Sequence, residues 1–456
     1  MRRLVALFAI ALCAALYLSN LSRMGLVSVD EPRYAAIGQA MAQSGDWITP
    51  RLWGEPWFEK PALLYWLTGI GFRAGLGPEL APRLPVALFS LAFLTFFWFR
   101  LRTLWDATVA SYSTAILATS TGWLAYSHVA ITDLPLAACF AAAVLWSLEE
   151  APSRRETTLA AAALGFAVLA KSLVGLVLFL PVLAMNRKNW RAWFQPAPLL
   201  AFTAIAVPWH VLCAMSNGQH FFQVLFVEHQ FGRFNSGAMQ HQQRFWYYVP
   251  VLLMLLFPWF PLAASALRER SDRRVRVLWA VVGFGFVFFS ASVNKLPHYL
   301  LPLLPLVAVL LGLGLARSAR APLALAGSVA LLGLLPMAVM VAPGALAHGL
   351  GATAIPWSAS IWIVASAVAG WLVAARLRRA ALPFAFGLAG AAFLWFQFAA
   401  FPAIDAAASA RPMWLREHPG CAPRTERYLV YGLSYYAGKA IEVCQVLDPQ
   451  GDSVVR

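Results

Sequence analysis

Residues Ser28–Leu64 read SVDEPRYAAIGQAMAQSGDWITPRLWGEPWFEKPALL. This stretch follows one long apolar segment and precedes many more, yet it carries eight charged side chains. Ionisable groups are costly at membrane depth, so a charged segment of this length must lie at a water-facing surface. It is therefore either a solvated connection or a functional site.

The composition around this stretch indicates a polytopic membrane protein. Of the 456 residues, 61% are hydrophobic and 12% are charged, with a mean hydropathy of +0.66. A soluble domain has about a quarter of its residues charged. The net charge of +15 comes largely from short arginine clusters between apolar runs. The orientation of membrane spans explains such clusters without a nucleic-acid partner.

Apolar runs of the length that crosses a bilayer recur along the chain. A span needs about 20 apolar residues, fewer where it is buried in a bundle. The pattern predicts an all-α protein with about thirteen spans: Leu4–Asn20, read as an uncleaved first span, Pro82–Phe99, Ala107–Tyr126, Leu134–Leu148, Thr158–Ser172, Leu173–Met185, Pro198–Met215, Trp246–Leu267, Val277–Val293, Tyr299–Ala316, Pro322–Val341, Ser358–Ala375 and Leu382–Phe401. Ala62–Gly77 is short and interrupted by glycines and Arg73, so we expect an interfacial or re-entrant helix there.

Basic residues set the orientation of these spans, because inside loops are rich in Lys and Arg. With the N-terminus inside, every inside connection is basic: Arg2 and Arg3, Arg100 and Arg102, Arg154 and Arg155, Arg187 to Arg191, Arg268–Arg276, Arg317 and Arg320, and Arg376 to Arg379. Counting Ala62–Gly77 as a span would move the later basic loops outside. The outer face then holds the first loop (21–81), Ser127–Asp133, Lys171, the loop 216–245 and Asn294–Tyr299.

This topology predicts a transmembrane domain over residues 1–404 and a small outer C-terminal segment over 405–456. The alternation in RYLVYGLSYYAGKAIEVCQVL predicts strands, and so a small α/β segment. Cys421 and Cys444 lie in this polar segment, and the sequence allows either a disulfide between them or two free thiols.

The first outer loop offers two candidate groups. Asp30 could cap a helix beginning near Pro32 or act in a site, since acidic caps are ordinary. Tyr34 and Met41 fall on one face of that helix, which we expect to be amphipathic and interfacial. Glu59 and Lys60 adjoin, and adjacent helical residues do not face each other, so we expect them to serve different partners.

Further lone ionisable residues fall on the same predicted face. Asp133 could cap the fourth span, whereas Lys171 sits between two apolar runs, and an intramembrane lysine is a functional hypothesis by default. The outer loop 216–245 adds histidines and arginines among aromatics, and NKLPHYLLPLLP adds a third group. These candidates are Glu228, His229, Arg233, His241, Arg244, Lys295, His298 and Tyr299. Arginines are well suited to bind phosphate. Histidines together with a carboxylate could also bind a divalent metal.

VDEPRYAAIGQAMAQSGDWITPRLWGEPWFEKPALLYWL resembles the first outer loop of the dolichyl-phosphate-mannose–protein mannosyltransferase-like glycosyltransferases of the GT-C fold. More narrowly, it resembles the bacterial aminoarabinose transferase branch that modifies lipid A. ITDLP, AKS at Lys171, VEHQFGRF and NKLPHYLLP are similar to later landmarks of that branch, so the resemblance covers Ser28–Pro305. Two departures concern the acceptor: Ser-Leu follows Lys171 where the branch favours Gly-Pro, and the C-terminal segment is shorter.

The resemblance implies a role for individual residues. Asp30 and Asp133 correspond to the two acidic residues of the fold, and Glu59 with Lys60 to its EKP pair. Lys171, Arg233 and Tyr299 resemble positions that hold the lipid phosphate, and Glu59 with His229 resembles a metal-binding feature. The candidates are therefore catalytic Asp30, Asp133 and Glu59; donor-phosphate-binding Lys60, Lys171, Arg233, Lys295 and Tyr299; and acceptor or loop contacts Glu31, Arg33, Tyr34, His241 and Arg244.

The expected function is transfer of a sugar from a polyprenyl (undecaprenyl) phosphate to lipid A, another glycan or a protein, by an inverting displacement. The resemblance implies a multi-pass protein of the bacterial inner membrane, with its site on the periplasmic side and with membrane lipid as a partner. The resemblance specifies no cofactor with certainty, and a divalent metal, zinc or magnesium, stays open. The alternative is a flippase or transporter of lipid-linked sugars, whose site would lie near the bilayer midplane, often between inverted repeats. The sequence does not specify an oligomeric state.

Overall fold

A computed structural model of the chain describes residues 2–232, 243–266, 272–317, 321–349, 361–362, 364–365, 368, 381–423, 426–444, 446–447 and 453–454. The protein is mostly helical. Its α-helices are Arg2–Leu18, Asp30–Ser44, Leu63–Arg73, Leu80–Leu104, Ala107–Ala118, Thr121–Tyr126, Asp133–Trp146, Arg154–Lys171, Val174–Met185, Pro196–Phe222, Tyr248–Leu255, Ala263–Ala266, Arg273–Ala291, Leu304–Arg317, Ala321–Leu332, Leu335–His348, Ala381–Ala408, Arg411–Glu417 and Arg427–Ala437.

Shorter elements connect these helices. Four segments are 3-10 helices and one is a π-helix: Arg187–Phe194, Phe245–Tyr247, Phe260–Leu262, Pro297–Leu303 and the π-helical Gln223–Gly232. Arg51–Leu52 pairs antiparallel with Glu55–Pro56, with Leu52 opposite Glu55. Val446–Leu447 pairs antiparallel with Ser453–Val454.

Within the described ranges, five helices are long and apolar enough to cross a membrane, and two bent helix pairs would raise that number to seven. The five are Leu80–Leu104, Pro196–Leu225, Arg273–Ala291, Pro297–Arg317 and Pro383–Ala408. Four shorter apolar helices, of which Asp133–Trp146 is one, accompany them. The chain is thus a multi-pass membrane protein, and the count of thirteen spans stays a prediction because Ser358–Ala375 lies largely outside the described residues.

One predicted span differs from the observed helices, and one predicted short helix agrees with them. The expected single span Ala107–Tyr126 is broken at Thr119 and Ser120, which lets the backbone N–H of Thr121 donate to the carbonyl of Phe257 at 3.0 Å. Leu63–Arg73, expected as an interfacial or re-entrant helix, has 11 residues. At ~1.5 Å per residue such a helix is too short to span the roughly 30 Å hydrocarbon core.

The C-terminal segment was expected to begin with strands, and this expectation is wrong for Arg427–Ala437, which form a helix. Leu429, Gly432 and Leu433 recur at helical spacing and are buried, so the apolar pattern fits period 3.6 rather than period 2. The short pair Val446–Leu447 and Ser453–Val454 follows later. The disulfide between Cys421 and Cys444 is formed and flanks this helix.

The helix Asp30–Ser44 was expected to lie amphipathic at the interface, but nearly all of its residues from Glu31 to Ala42 are buried. It packs against Leu63–Arg73 on one side and Arg427–Ala437 on another, so the C-terminal segment covers the face expected to meet solvent. A Cβ added at Gly38 would lie 1.9 Å from Oγ1 of Thr68. The two helices therefore approach closely only because residue 38 is glycine.

The chain direction of the helices separates two ends of the bundle. Arg100, near the end of Leu80–Leu104, donates to Glu156 at 2.8 Å and to the carbonyl of Leu145 at 3.2 Å. Glu156 lies at the start of the helix that ends at Lys171, and Leu145 near the end of the helix that begins at Asp133. Asp133 and Lys171 are thus at the opposite end from the orienting arginines.

Candidate active site

The first turn of the helix Asp30–Ser44 holds an ion-paired trio. Val29, not Asp30, is the N-cap residue and makes no side-chain cap, so the capping explanation of Asp30 is wrong. The Asp30 carboxylate instead accepts from one guanidinium nitrogen of Arg33. The other terminal nitrogen of Arg33 donates to Glu59 at 2.9 Å, and its Nε donates to the Val29 carbonyl at 3.2 Å. Burial and helical spacing thus place Arg33 between two carboxylates.

The members of this trio differ in exposure. The Asp30 side chain is 28% exposed, whereas that of Glu59 is 5% exposed. Burial disfavours the charged form of Arg33, but the carboxylates of Glu59 and Asp30 outweigh this effect and raise its pKa. Arg33 therefore stays charged and holds Asp30 in place while leaving part of that carboxylate open to a ligand.

Glu59 and Lys60 contact each other, contrary to the expectation of separate partners. Lys60 Nζ lies 3.6 Å from Glu59 Oε1 and donates to the Glu59 carbonyl at 3.2 Å. The rule that neighbours diverge applies to helices, and these residues precede the helix that begins at Leu63. Each carboxylate oxygen of Glu59 faces a cation, Arg33 or Lys60.

A second cluster joins three distant parts of the chain. Lys171 Nζ donates to Asp133 Oδ1 at 2.6 Å, and His298 Nε2 lies 3.8 Å from Asp133 Oδ2. Lys171 Nζ also sits 4.6 Å from the ring centroid of Tyr299. The helix that begins at Asp133 has Thr132 at its N-cap without a side-chain cap, so Asp133 is not a cap either. Four of the singled-out residues thus meet in space.

The two clusters are electrostatic neighbours. The charge of Lys60 acts on the Asp133 carboxylate, and the charges of Asp30 and Lys60 act on the His298 imidazole. Together they combine three carboxylates with lysine and arginine cations at one end of the bundle. In such an arrangement an exposed carboxylate can accept a proton. A lysine can also release its carboxylate partner and bind an anionic ligand in its place.

Three singled-out residues are buried among protein partners. Glu31 is fully buried and both of its carboxylate oxygens accept from Arg83, so its role as an acceptor contact stays a prediction. Tyr34 is buried against the ring of Tyr65, with centroids 5.8 Å apart, and burial raises the pKa of its hydroxyl. Lys295 is buried and donates to the carbonyls of Ser292 and Gln243, the latter at 3.0 Å, which does not suit a phosphate contact.

The loop between the helices Pro196–Phe222 and Tyr248–Leu255 is described only in part. Arg233 and His241 lie outside the described residues, as does the side chain of His229. Arg244 is exposed at the start of Phe245–Tyr247. The predictions for this loop therefore stay predictions.

The described side chains do not form a set of ligands suited to a metal ion. Among the described residues, no three His, Cys, Asp or Glu side chains come together as a metal-binding group. Glu59, the expected ligand with His229, already directs its two oxygens at Arg33 and Lys60. These cations compete with a metal ion for the same lone pairs.

Sequence reasoning missed Arg83, the most heavily bonded arginine near the site. Its guanidinium makes a bidentate pair with Glu31, at 2.7 and 2.8 Å, and donates to the carbonyls of Leu21, Met24 and Gly25. Glu31 also accepts from the backbone N–H of Val27 and of Ala130. A lone arginine at the start of an apolar helix was the available signal. This network fixes the loop that leads into Asp30.

The C-terminal segment makes hydrogen bonds to the loop that leads into Asp30. Arg411 pairs with Asp405 at 2.6 Å and donates to the carbonyls of Ser22 and Arg23, both at 2.8 Å. Asp405 accepts in turn from the backbone N–H of Gly25 at 2.7 Å. Pairings this distant in sequence leave no local pattern, which is why sequence reasoning did not find them.

The residue after Lys171 has an unusual backbone. Ser172 has φ 60° and ψ −139°, a region that L residues rarely adopt, and its hydroxyl has no hydrogen-bond partner among the described residues. We expect Ser172→Gly to raise the free energy of unfolding by about 1 kcal/mol, because glycine adopts this conformation without strain. Thermal unfolding in detergent measures the change, with Ser172→Ala as the control that keeps the strain. A Gly variant no more stable than the Ala variant would contradict this expectation.

The chain is similar to known proteins in sequence and in structure. Residues 1–217 match the model of the family described as dolichyl-phosphate-mannose-protein mannosyltransferase. An undecaprenyl phosphate-alpha-4-amino-4-deoxy-L-arabinose arabinosyl transferase from Edwardsiella ictaluri is 32% identical over 333 residues, which are 68% of this chain and 59% of that protein. The protein of the same name from Pseudomonas aeruginosa PAO1 is 32% identical over 337 residues, 70% of this chain and 60% of that protein.

Solved structures agree with these relatives. The crystal structure of ArnT from Cupriavidus metallidurans bound to undecaprenyl phosphate superimposes with a TM-score of 0.77 at 27% identity, covering 97% of this chain and 86% of that one. Its apo state gives a TM-score of 0.75 at 25% identity, covering 98% of this chain and 86% of that one.

Helical bundle, site and matches together define a membrane protein of the GT-C class. Residues 1–217 match the dolichyl-phosphate-mannose-protein mannosyltransferase family, as the resemblance implied, and the two relatives are named as 4-amino-4-deoxy-L-arabinose transferases. The chain spans about three fifths of the length of those two curated relatives.

Proposed function

We propose that this protein is an integral-membrane glycosyltransferase that moves a sugar from a polyprenyl phosphate, such as undecaprenyl phosphate, to an acceptor. The observation that carries the proposal is the likeness, over 97% of the chain, to a transferase structure bound to undecaprenyl phosphate. The cluster of Asp30, Asp133 and Lys171 at one end of the bundle supports it. The acceptor is lipid A, another glycan or a protein.

The proposed location is the bacterial inner membrane, with thirteen spans and the site on the periplasmic side. The Cys421–Cys444 disulfide supports this placement of the C-terminal segment, because disulfides persist in oxidising compartments. In this scheme residues 1–404 form the transferase domain, with outer loops 21–81 and 216–245. Residues 405–456 form the periplasmic segment.

In the proposed reaction, an acceptor oxygen attacks C1 of the donor sugar from the face opposite the phosphate. The bond from C1 to the phosphate oxygen breaks, and its electron pair leaves with the polyprenyl phosphate. Lys171 stabilises the developing phosphate charge, and Arg233 is its proposed partner in this role. Tyr299, which lies against the Lys171 ammonium, bounds the same position.

Asp30 is the proposed general base when the acceptor is a hydroxyl, since its carboxylate is partly exposed and held by Arg33. The acceptor proton then passes to Asp30. When the acceptor is a phosphate, as on lipid A, it is already anionic, and Asp30 positions the sugar or acceptor instead. Asp133 orients Lys171 in either case, and Glu59 orients Arg33.

A direct test of this proposal is an acceptor screen. Purified protein is incubated with labelled undecaprenyl-phosphate aminoarabinose, and separately with a labelled hexose donor, against lipid A, glycan and protein acceptors. We expect label to appear on one acceptor class with release of undecaprenyl phosphate. Release of free sugar alone, or no consumption of either donor, would contradict the proposal.

Lys171→Met is expected to weaken binding of undecaprenyl phosphate by roughly 10- to 100-fold, because a charge-assisted hydrogen bond is worth about 1.5–3 kcal/mol. Titration calorimetry in detergent measures the dissociation constant. The substitution also leaves Asp133 buried without its closest cation, which destabilises the protein by itself.

The double variant Lys171→Met with Asp133→Asn separates these two effects. Removing the orphaned carboxylate should restore thermal stability, while the phosphate still lacks its lysine and binding stays weak. Native-like affinity in the double variant would show that Lys171 is structural.

A further inference from the structure

Arg33 contacts both hydrogen-bond acceptors and aromatic rings. Its nitrogens point along the guanidinium plane to Asp30, Glu59 and the Val29 carbonyl. Aromatic rings contact the cation besides these groups: the centroid of Trp57 lies 5.6 Å from the guanidinium carbon and that of Tyr431 lies 5.2 Å away. Rings at these distances attract a guanidinium and exclude water from it. The orientation of Arg33, and so of Asp30, depends on those rings.

Tyr431 differs from the other groups because it belongs to the C-terminal segment. It lies on the helix Arg427–Ala437, about 400 residues along the chain from Arg33. Its ring stacks on Trp53, with centroids 5.7 Å apart and an interplanar angle of 11°. Trp53 has φ 51° at the tip of the hairpin between Arg51–Leu52 and Glu55–Pro56. A bulky residue in this conformation is a backbone outlier and needs support from its surroundings.

The helix that carries Tyr431 is fixed against the outer loop at further points. Tyr435 donates to the carbonyl of Pro78 at 2.7 Å, and Tyr436 donates to Glu79 at 3.1 Å. The disulfide Cys421–Cys444 closes the segment around this helix. The helix position is therefore coupled to the loop that holds the candidate site.

We propose that Tyr431 is a positioning residue: the C-terminal segment completes the site by covering the Arg33 cation, which in turn holds Asp30 and Glu59. This inference rests on the proposed transferase function. Tyr431 touches no reacting atom; it acts through Arg33, with Trp53 keeping its ring in place. The C-terminal segment thus contributes a residue to the candidate site.

The consequence is a change in turnover rather than in donor binding. Misplacing a catalytic group by a fraction of an ångström costs rate without removing substrate contacts. We expect Tyr431→Ala to lower kcat on the order of tenfold, with the KM for donor changed less than twofold. Tyr431→Phe keeps the ring face and should restore native kcat. Val430→Ala, whose side chain packs within the apolar cluster of the C-terminal segment, serves as the control for a weakened helix.

A double-mutant cycle with Arg33→Lys tests whether Tyr431 acts through Arg33. Lysine keeps the charge but lacks the planar fork and the flat face. If the proposal holds, the double variant Arg33→Lys with Tyr431→Ala turns over no more slowly than Arg33→Lys alone, because contacting residues with one shared role are non-additive. Losses that multiply in the double variant, or a Phe variant as slow as the Ala variant, would overturn the positioning role alone. No transfer by the native protein would overturn the proposed function, and the positioning role with it.

Discussion

Replacing Asp30 by asparagine is expected to lower transfer to a hydroxyl acceptor by roughly 10²- to 10⁴-fold, the usual contribution of a general base. The amide is the same size as the carboxylate and can still accept from Arg33, so the first turn of the helix should keep its structure. It cannot take a proton from an acceptor hydroxyl. Initial rates at saturating donor measure the effect, and size-exclusion chromatography in detergent shows that the variant is folded.

Asp46→Asn is the matched control for this prediction. Asp46 belongs to the same outer loop, and its carboxylate accepts from the backbone N–H groups of Ile48 and Thr49, both at 3.0 Å. We expect near-native transfer from this variant. Asp30→Asn turnover at the rate of the control would remove Asp30 from the chemistry.

Arg83→Met is expected to lower the free energy of unfolding by about 3–5 kcal/mol, the usual cost of breaking a buried ion pair. The substitution leaves the Glu31 carboxylate buried without its cation and leaves the carbonyls of Leu21, Met24 and Gly25 without that donor. The loop into Asp30 should then loosen, so activity falls with stability. Thermal unfolding in detergent measures the stability, and initial rates of transfer at saturating donor measure the activity.

Arg102→Met controls for the loss of an arginine from the same helix, because Arg102 is exposed at the far end of Leu80–Leu104. This control should change stability by no more than about 0.5 kcal/mol. An Arg83 variant as stable as the Arg102 variant would mean that the buried network does not hold the outer loop.

Much of the candidate site could be predicted from the sequence, because isolated charges in an apolar chain carry information. Asp133 and Lys171 stood out for that reason, and the structure pairs them directly although 38 residues separate them. The positive-inside pattern placed them on one predicted face with the first loop. What the sequence could not supply was the pairing itself, since Asp133 alone also fits a helix cap.

The rest depended on contacts between distant segments. Glu31 looks like an exposed loop residue until Arg83 and two backbone N–H groups occupy it. The helix Asp30–Ser44 looks amphipathic until the C-terminal segment covers it. Within that segment, strands were wrongly predicted for Arg427–Ala437, because tyrosines and valines favour sheets by propensity while these residues pack as a helix.

The measurement that tests the central claim most directly uses native protein in liposomes with labelled undecaprenyl-phosphate sugar, acceptor in the same bilayer and no ion gradient. The account predicts label covalently attached to the acceptor and release of undecaprenyl phosphate, both abolished by Asp30→Asn. Label that crosses between leaflets but stays on its polyprenyl phosphate would contradict the account and identify a flippase.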